Sequence, residues 1–177
     1  MNRTNRRTRR SAALARAALV AAVLLGAAGC RAAAPPEDAT ARPGDAERPQ
    51  RLPTATIQVG ARPLVVEVAA TEAQRRTGMM GRPSLGPDEA MLFVFLREDN
   101  LVFWMKDTPV DLDLAYLGAD GTILQIEPMT AHNTDQVFSR APARYALEVP
   151  AGWFAAHGIA AGARVTIPPE VMKDAEP

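Results

Sequence analysis

The chain of 177 residues contains little of what most catalytic and metal sites are built from. A single cysteine, Cys30, excludes an intrachain disulfide and a structural zinc site made of several cysteines. The two histidines, His132 and His157, show no metal-ligand spacing. There is no phosphate-binding glycine loop, no dinucleotide fingerprint and no Gly-x-Ser-x-Gly motif around Ser84 or Ser139. We therefore predict no cofactor and no nucleotide-driven chemistry.

An excess of basic charge is also missing outside the N-terminus. The chain has 20 Lys and Arg and 20 Asp and Glu, so its formal net charge is zero. Residues 1–30 hold six Arg and no acid, which leaves 14 basic and 20 acidic side chains in the rest. Because phosphate backbones are bound by basic surfaces, this acidic body argues against a nucleic-acid partner.

No apolar run is long enough to span a bilayer as a helix, but the N-terminus is typical of an export signal. Five Arg precede Ser11, and the uninterrupted apolar run 17–28 has twelve residues, whereas a spanning helix needs about 20. Small residues then precede Cys30, which resembles the lipobox of bacterial lipoproteins. This predicts cleavage after Gly29 and acylation of Cys30. The alternative is an ordinary signal with a coincidental cysteine.

The predicted acyl chains would hold the protein at a membrane. Residue 31 is Arg rather than Asp, which by resemblance to lipoproteins of two-membrane bacteria favours the outer membrane. The mature protein would then face the periplasm. Arg9 and Arg10 resemble a twin-arginine signal, but the weak hydrophobic positions after them favour the general secretion route.

Four segments are predicted. They are a signal peptide at 1–29, a lipidated Cys30 with a disordered tether at 30–53, a β-rich domain at 54–169 and a tail at 170–177. Residues 31–53 contain five Pro and almost no large apolar side chain, so they cannot bury enough surface to offset the entropy lost on ordering.

The folded domain is predicted to be mostly β, in the α+β class, as a compact antiparallel barrel or sandwich with two short helices. Short strands with turns every 8–12 residues indicate this class. A capping box at Thr71 and Gln74 predicts a helix over 72–78, and a second helix is predicted over 150–157. The predicted strands cover 54–59, 64–69, 91–96, 101–105, 111–117, 122–129, 144–149 and 163–167, with hairpins joining the first, second and third pairs.

Several motifs resemble a known family. They include Gln74-Arg75-Arg76-Thr77-Gly78-Met79-Met80-Gly81-Arg82, Met91-Leu92-Phe93-Val94-Phe95, Phe103-Trp104-Met105-Lys106-Asp107-Thr108 and Tyr145-Ala146-Leu147-Glu148-Val149-Pro150. In this order they resemble the bacterial and archaeal family called domain of unknown function 192, over about residues 57–167. Asp107 departs from the family, which usually has Asn there. The resemblance implies a β-rich fold and implies no reaction.

The densest polar cluster follows the aromatic segment at Phe103 and Trp104. Alternation along a strand puts Asp111 and Asp113 on one face, about 7 Å apart. Two such carboxylates serve acid–base chemistry or a hard cation, or they form a solvated face, or they pair with an Arg. We expect any functional surface to include the following residues as candidate ligand contacts: Arg75, Arg82, Trp104, Lys106, Asp107, Asp111 and Asp113.

Two further patterns allow alternative explanations. Arg75 and Arg82 are expected to pair in the interior with Asp113 or Glu148, or else to clamp an anionic ligand. Thioethers and imidazole bind Cu(I), but methionine is also a common filler of cores. The residues that raise this copper hypothesis are Met79, Met80, Met91, Met105, Met129 and His132.

These patterns favour a membrane-tethered, non-enzymatic accessory module of the cell envelope that binds a small molecule or an envelope protein. The alternative is a hydrolase-like enzyme that uses Asp107, Asp111 and Asp113 near Lys106. A copper-binding protein is a third hypothesis.

Overall fold

The computed structural model describes residues 49–173 and residue 175, and this part contains nine strands and two short α-helices. The predicted signal peptide, Cys30 and the tether up to residue 48 lie outside the described residues. The elements are β1 Thr54–Val59, β2 Arg62–Ala69, α1 Glu72–Thr77, β3 Ala90–Asp99, β4 Val102–Phe103, β5 Leu112–Leu117, β6 Ile123–Met129, β7 Val137–Phe138, β8 Ala143–Pro150, α2 Trp153–Ala156, β9 Val165–Thr166 and a 3₁₀ turn at Pro169–Met172.

Seven strands of the described chain form one curled sheet in the order β6-β5-β8-β3-β2-β1-β9. Every neighbouring pair is antiparallel except β2 and β3, which are parallel. The two outer strands meet where Thr122, just before β6, bridges Arg164, just before β9. A Cβ at Gly121 would lie 2.1 Å from the Val165 carbonyl oxygen, so only glycine permits this approach. The mostly β class with two short helices is confirmed.

The sheet buries apolar side chains on both faces, as the alternation of β5 illustrates. Leu112, Leu114 and Tyr116 belong to one core cluster, whereas Ala115 and Leu117 belong to the other. All six residues of β5 are buried, because a strand covered on both faces has no solvated side. We call the cluster that contains Phe93, Met91 and Tyr116 the aromatic core.

Local pairings were predicted well and distant pairings were not. The β1–β2 and β5–β6 hairpins are confirmed, as is the capping box that begins α1. The predicted hairpin between 91–96 and 101–105 is wrong, because β3 pairs with β2 and β8 while β4 pairs with β7. The second helix begins at Trp153 rather than at residue 150, since Pro150 still belongs to β8.

Contacts with the domain begin upstream of residue 54, the predicted boundary. The Gln50 amide donates hydrogen bonds to the carbonyl oxygens of Gln74 and Gly78, at 2.9 Å each. The backbone N–H of Leu52 donates to Glu67, and the Leu52 side chain packs against the aromatic core. Residues 50–52 therefore help to hold α1 in place.

No helix within residues 49–173 and 175 combines the length and the apolar character of a membrane span. The two α-helices there have six and four residues.

Candidate functional site

The described domain has a cavity of about 430 Å³, which we call the aromatic pocket. Its walls come from α1 and the turn that follows, from β3, from the β4–β7 ribbon and from β8. The residues that line it are Glu72, Arg75, Arg76, Thr77, Gly78, Met79, Met80, Phe93, Phe95, Val102, Phe103, Trp104, Thr108, Gln136 and Glu148.

Burial separates the floor of the pocket from its rim. Phe93, Met79 and Glu148 are at most 4% exposed and form the floor. Val102 and Trp104 are 48% and 46% exposed and lie at the rim. A ligand that enters past the rim therefore meets apolar rings first and the Glu148 carboxyl group last.

Local sequence explains the position of the α1 wall. Thr71 and Gln74 form the capping box that begins the helix, and Gly78 ends it with a φ of 47°. A Cβ at Gly78 would lie 3.4 Å from the Phe93 ring. That distance is an ordinary van der Waals contact, so glycine is favoured at this position by its positive φ, which other residues rarely adopt.

The opposite wall is built from edge-to-face aromatic contacts. The ring centroids of Phe93 and Phe103 are 4.9 Å apart at an interplanar angle of 90°. The ring of Phe103 also meets that of Tyr116 at 5.8 Å. Such pairs stabilise a core beyond the effect of area burial alone, so this wall is held in place before any ligand arrives.

Glu148 is the most unusual group in the pocket. It lies on the central strand β8 between Met91 of β3 and Leu114 of β5. Ala146, two residues earlier, belongs to the aromatic core, so strand alternation turns Glu148 to that same face. Its Oε2 atom is buried and has no hydrogen-bond partner among the described residues.

Burial raises the pKa of Glu148 to about 8, although the positive charge of Arg82 lowers it. The carboxyl group is therefore mostly protonated at neutral pH. A neutral carboxyl group has one O–H donor and can also accept. Glu148 can accordingly bind a polar group at the bottom of the aromatic pocket.

Arg82 is buried, as predicted, but its partner is a different acid. Its Nη2 atom lies 2.7 Å from the Glu67 carboxylate and donates to the carbonyl oxygen of Gln50 at 2.9 Å. The predicted pairing of Arg82 with Asp113 or Glu148 is wrong, because residues 50–52 and β2 bring Glu67 and Gln50 to the guanidinium instead. Burial raises the pKa of Glu67, whereas the hydrogen bonds from Arg82 and Leu52 lower it. The lowering effects are larger together, so the pKa of Glu67 lies below its ordinary value.

Arg75 lines the pocket and is held by the backbone. Its Nη1 atom donates to the carbonyl oxygens of Ala70 and Val94. Its guanidinium carbon lies 4.9 Å from the centroid of the Phe95 ring. These contacts fix the Arg75 side chain as part of the wall, and its pairing with Asp113 or Glu148 stays a prediction.

The structure does not bring the acidic candidates together around one point. Asp111 is exposed and its Oδ1 atom accepts from the Ala131 N–H at 2.7 Å. Asp113 is buried, and its Oδ2 atom accepts from the Gly152 N–H at 2.9 Å. Asp107 and Lys106 are exposed, with 3.9 Å between their charged atoms. Asp113 therefore does not pair with an Arg as expected, but caps the start of α2.

This cap sets the expected effect of the Asp113→Ala substitution. Burial raises the pKa of Asp113, while the N–H groups of Gly152 and Phe154 lower it. Loss of a capping carboxylate costs about 1 kcal/mol of unfolding free energy, which urea unfolding measures. Asp113→Asn keeps an acceptor oxygen and should lose less. A loss above about 3 kcal/mol would instead indicate an orphaned buried charge.

Of the seven candidate residues, all of them in the described domain, Arg75 and Trp104 line the pocket. The predicted contacts did not include the pocket residues Phe93, Phe95 and Phe103, and Glu148 was predicted only as an ion-pair partner. The available signal was a lone acid within the apolar strand Tyr145–Val149. A buried acid on a strand that is covered on both faces needs a partner or a function.

The methionines are explained by packing. Met79, Met91, Met105 and Met129 are buried in the aromatic core, while Met80 lines the pocket. His132 is exposed. Within the described residues, no cluster of three or more His, Cys, Asp or Glu could hold a metal ion.

Comparisons with known proteins identify relatives without an established function. A family model described as "DUF192: Uncharacterized ACR" matches residues 55–167. A protein from Sinorhizobium meliloti 1021, proposed elsewhere to be a transcription regulator, is 33% identical with a TM-score of 0.61, over 66% of this chain and 96% of its own. A protein of unknown function from Novosphingobium aromaticivorans DSM 12444 is 28% identical with a TM-score of 0.62, over 66% and 86%. No curated protein matches significantly.

Proposed function

This chain belongs to the DUF192 family of uncharacterized proteins, and we propose that it is a non-enzymatic, membrane-tethered module of the cell envelope that binds a small molecule in the aromatic pocket. The protein would be attached to the membrane by a lipid on Cys30. The molecule bound in the pocket would have a mainly apolar body. The module would face the periplasm from the outer membrane.

One observation carries the binding proposal. Glu148, whose buried Oε2 atom has no hydrogen-bond partner among the described residues, lines a cavity in which seven of the other lining residues are aromatic, thioether or aliphatic. Small-molecule sites have this composition, with a few polar groups that orient a ligand among apolar walls. A volume of about 430 Å³ lies within the range of such sites.

The geometry favours binding over the hydrolase alternative. An enzyme that used Asp107, Asp111 and Asp113 would need their carboxylates to converge on one substrate atom. Asp111 and Asp113 instead accept from the backbone at two separate places, and none of the three lines the pocket.

The role proposed for the relative from Sinorhizobium meliloti is not extended to this chain. Residues 54–169 contain 9 basic and 13 acidic side chains. A DNA-binding domain concentrates Lys and Arg on one face to neutralise phosphates. The acidic charge balance of this domain argues against a nucleic-acid ligand.

The proposed pocket is tested by native mass spectrometry of the full-length protein purified from its host envelope. We expect wild type to carry a bound small molecule. Met80→Trp should abolish that signal, because the larger ring would occupy the pocket from its partly buried edge. Leu124→Trp adds the same ring at an exposed position of β6, and this variant should still carry the ligand. Equal occupancy in Met80→Trp and wild type would contradict the proposal.

The proposed anchor is tested by Cys30→Ala. The only thiol in the chain is the only acceptor for a thioether-linked lipid, so this variant should accumulate as an uncleaved or mis-sorted precursor without lipid label. Metabolic labelling with a fatty-acid analogue, followed by membrane fractionation, measures this. Recovery of Cys30→Ala in the membrane with the label of wild type would reject the anchor.

A further inference from the structure

We propose that the aromatic pocket takes an uncharged molecule with an apolar body and a head group that both donates and accepts hydrogen bonds, such as a carboxamide, and that this head group binds the Glu148 carboxyl. This inference rests on the proposed function and specifies the ligand class. It excludes organic cations, which aromatic pockets with a carboxylate often bind.

The order of groups from rim to floor gives the orientation of the ligand. Trp104 and Val102 lie at the exposed rim, and Phe103 forms a partly buried wall. Glu148 is 4% exposed at the floor. A molecule that fills this space puts its apolar body against the rings and its polar end on Glu148. The Glu148 carboxyl, which has an Oε2 atom without a hydrogen-bond partner among the described residues, then gains a polar partner.

The charges near Glu148 argue against a cationic head group. Arg82, from the turn after α1, acts on the Glu148 charge, and the Arg75 guanidinium forms part of the pocket wall. Tyr116 of β5 also interacts with Glu148. The pKa of Tyr116 is raised mainly by burial and secondly by the negative charge of Glu148. The pocket lining contains Glu72, Arg75, Arg76 and Glu148, and Glu72 already pairs with Arg76. A cation at the floor would therefore have only the Glu148 carboxyl to offset the nearby positive charge of Arg82.

The protonation state of Glu148 fits a neutral ligand. Its pKa of about 8 leaves the carboxyl mostly protonated at pH 7, so it has an O–H donor and an acceptor oxygen to offer. A cation would first require ionisation of a buried acid. An anionic head group would lose its hydration on entering the pocket, and Arg75 in the pocket wall already donates to two carbonyl oxygens.

Three probes of equal length separate the ligand classes: hexanamide, hexylammonium and hexanoate. Each is titrated into the full-length protein at pH 7 while NMR follows the indole N–H of Trp104. The indole of Trp153 donates to Asp88 outside the pocket lining and provides an internal control. We expect hexanamide to shift the Trp104 signal at lower concentration than either charged probe and to leave Trp153 unchanged.

Two substitutions test the role of Glu148. Glu148→Gln keeps a donor and an acceptor without a titrating proton, so hexanamide affinity should stay within about threefold of wild type. Glu148→Leu removes both and should weaken hexanamide by about tenfold or more. Above pH 8, wild type should lose affinity as Glu148 loses its donor proton, whereas Glu148→Gln should not. If Glu148→Leu does not fold, the pH comparison between wild type and Glu148→Gln decides.

The contrary results separate the two proposals. Tightest binding of hexylammonium, with loss in Glu148→Gln, would overturn the neutral ligand class and retain the pocket. Tightest binding of hexanoate would overturn the class as well. If none of the three probes shifts the Trp104 signal at millimolar concentration, both the ligand class and the proposed binding function are wrong.

Discussion

Glu148→Gln is expected to stabilise the folded domain at neutral pH, by an amount that grows as the pH rises. The Glu148 carboxyl titrates near pH 8 when folded against a reference pKa of 4.5, so the folded state holds its proton more tightly than the unfolded state. Stability of wild type therefore falls between about pH 4.5 and pH 8, by about 1.4 kcal/mol per pH unit for one group. Gln does not titrate and removes this loss.

At pH 7 the expected gain in unfolding free energy is on the order of 3 kcal/mol. Chemical denaturation of wild type and Glu148→Gln at pH 5, 6, 7 and 8 measures it, and the difference between the curves should widen with pH. Glu170→Gln, at an exposed position, serves as a matched control and should leave the curve unchanged. A constant difference between wild type and Glu148→Gln across this range would show that Glu148 is not held neutral.

Glu67→Gln is expected to produce the largest loss of stability. Its partner Arg82 is 1% exposed, and the Glu67 carboxylate lies 2.7 Å from it. Neutralising one member of a buried ion pair leaves the other charge without compensation, which costs about 3–5 kcal/mol. The hydrogen bond from the Leu52 N–H to Glu67 would also weaken, so residues 50–52 should become more accessible to proteases.

Glu72→Gln is the matched control, because it removes the same charge from an exposed Glu–Arg pair. Glu72 and Arg76 keep 69% and 75% of their side chains exposed, and exposed pairs are worth less than about 1 kcal/mol. Urea unfolding of the two variants should differ several-fold in lost free energy. Equal small losses would mean that Arg82 finds another partner and that the buried pair does not hold β2 to the turn after α1.

The sequence predicted those features that depend on near neighbours. The capping box at Thr71 and the turn at 118–121 act over a few residues, so their signals are complete within the segment that they shape. The β3–β4 hairpin failed because Met91–Phe93 pairs with β8, more than fifty residues away, and with β2 in parallel. A continuous apolar run is typical of a buried central strand as well as of a hairpin strand. The pattern of apolar residues does not identify the strands with which it pairs.

In the candidate site, too, the residues in local motifs were predicted and the contacts between distant segments were not. Trp104 and Arg75 belong to conspicuous local motifs and do line the pocket. Asp113 was expected to pair with an Arg, but its partner is the start of α2, which lies nearly forty residues along the chain. Glu148 could be recognised from sequence as an acid in an apolar strand. Its lack of a protein partner at Oε2 depends on packing from three strands, which no local pattern encodes.

The most direct test of the account is the carboxyl pKa of Glu148 itself, measured by ¹³C NMR of side-chain carboxyl carbons from pH 4 to pH 9. Glu148→Gln identifies the resonance by its disappearance. We expect a midpoint near 8 in the free protein and a shift of this resonance when hexanamide is added. A midpoint between about 4 and 5, the ordinary range of an exposed glutamate, with no response to hexanamide, would contradict the claim that Glu148 is the neutral polar anchor of a ligand pocket.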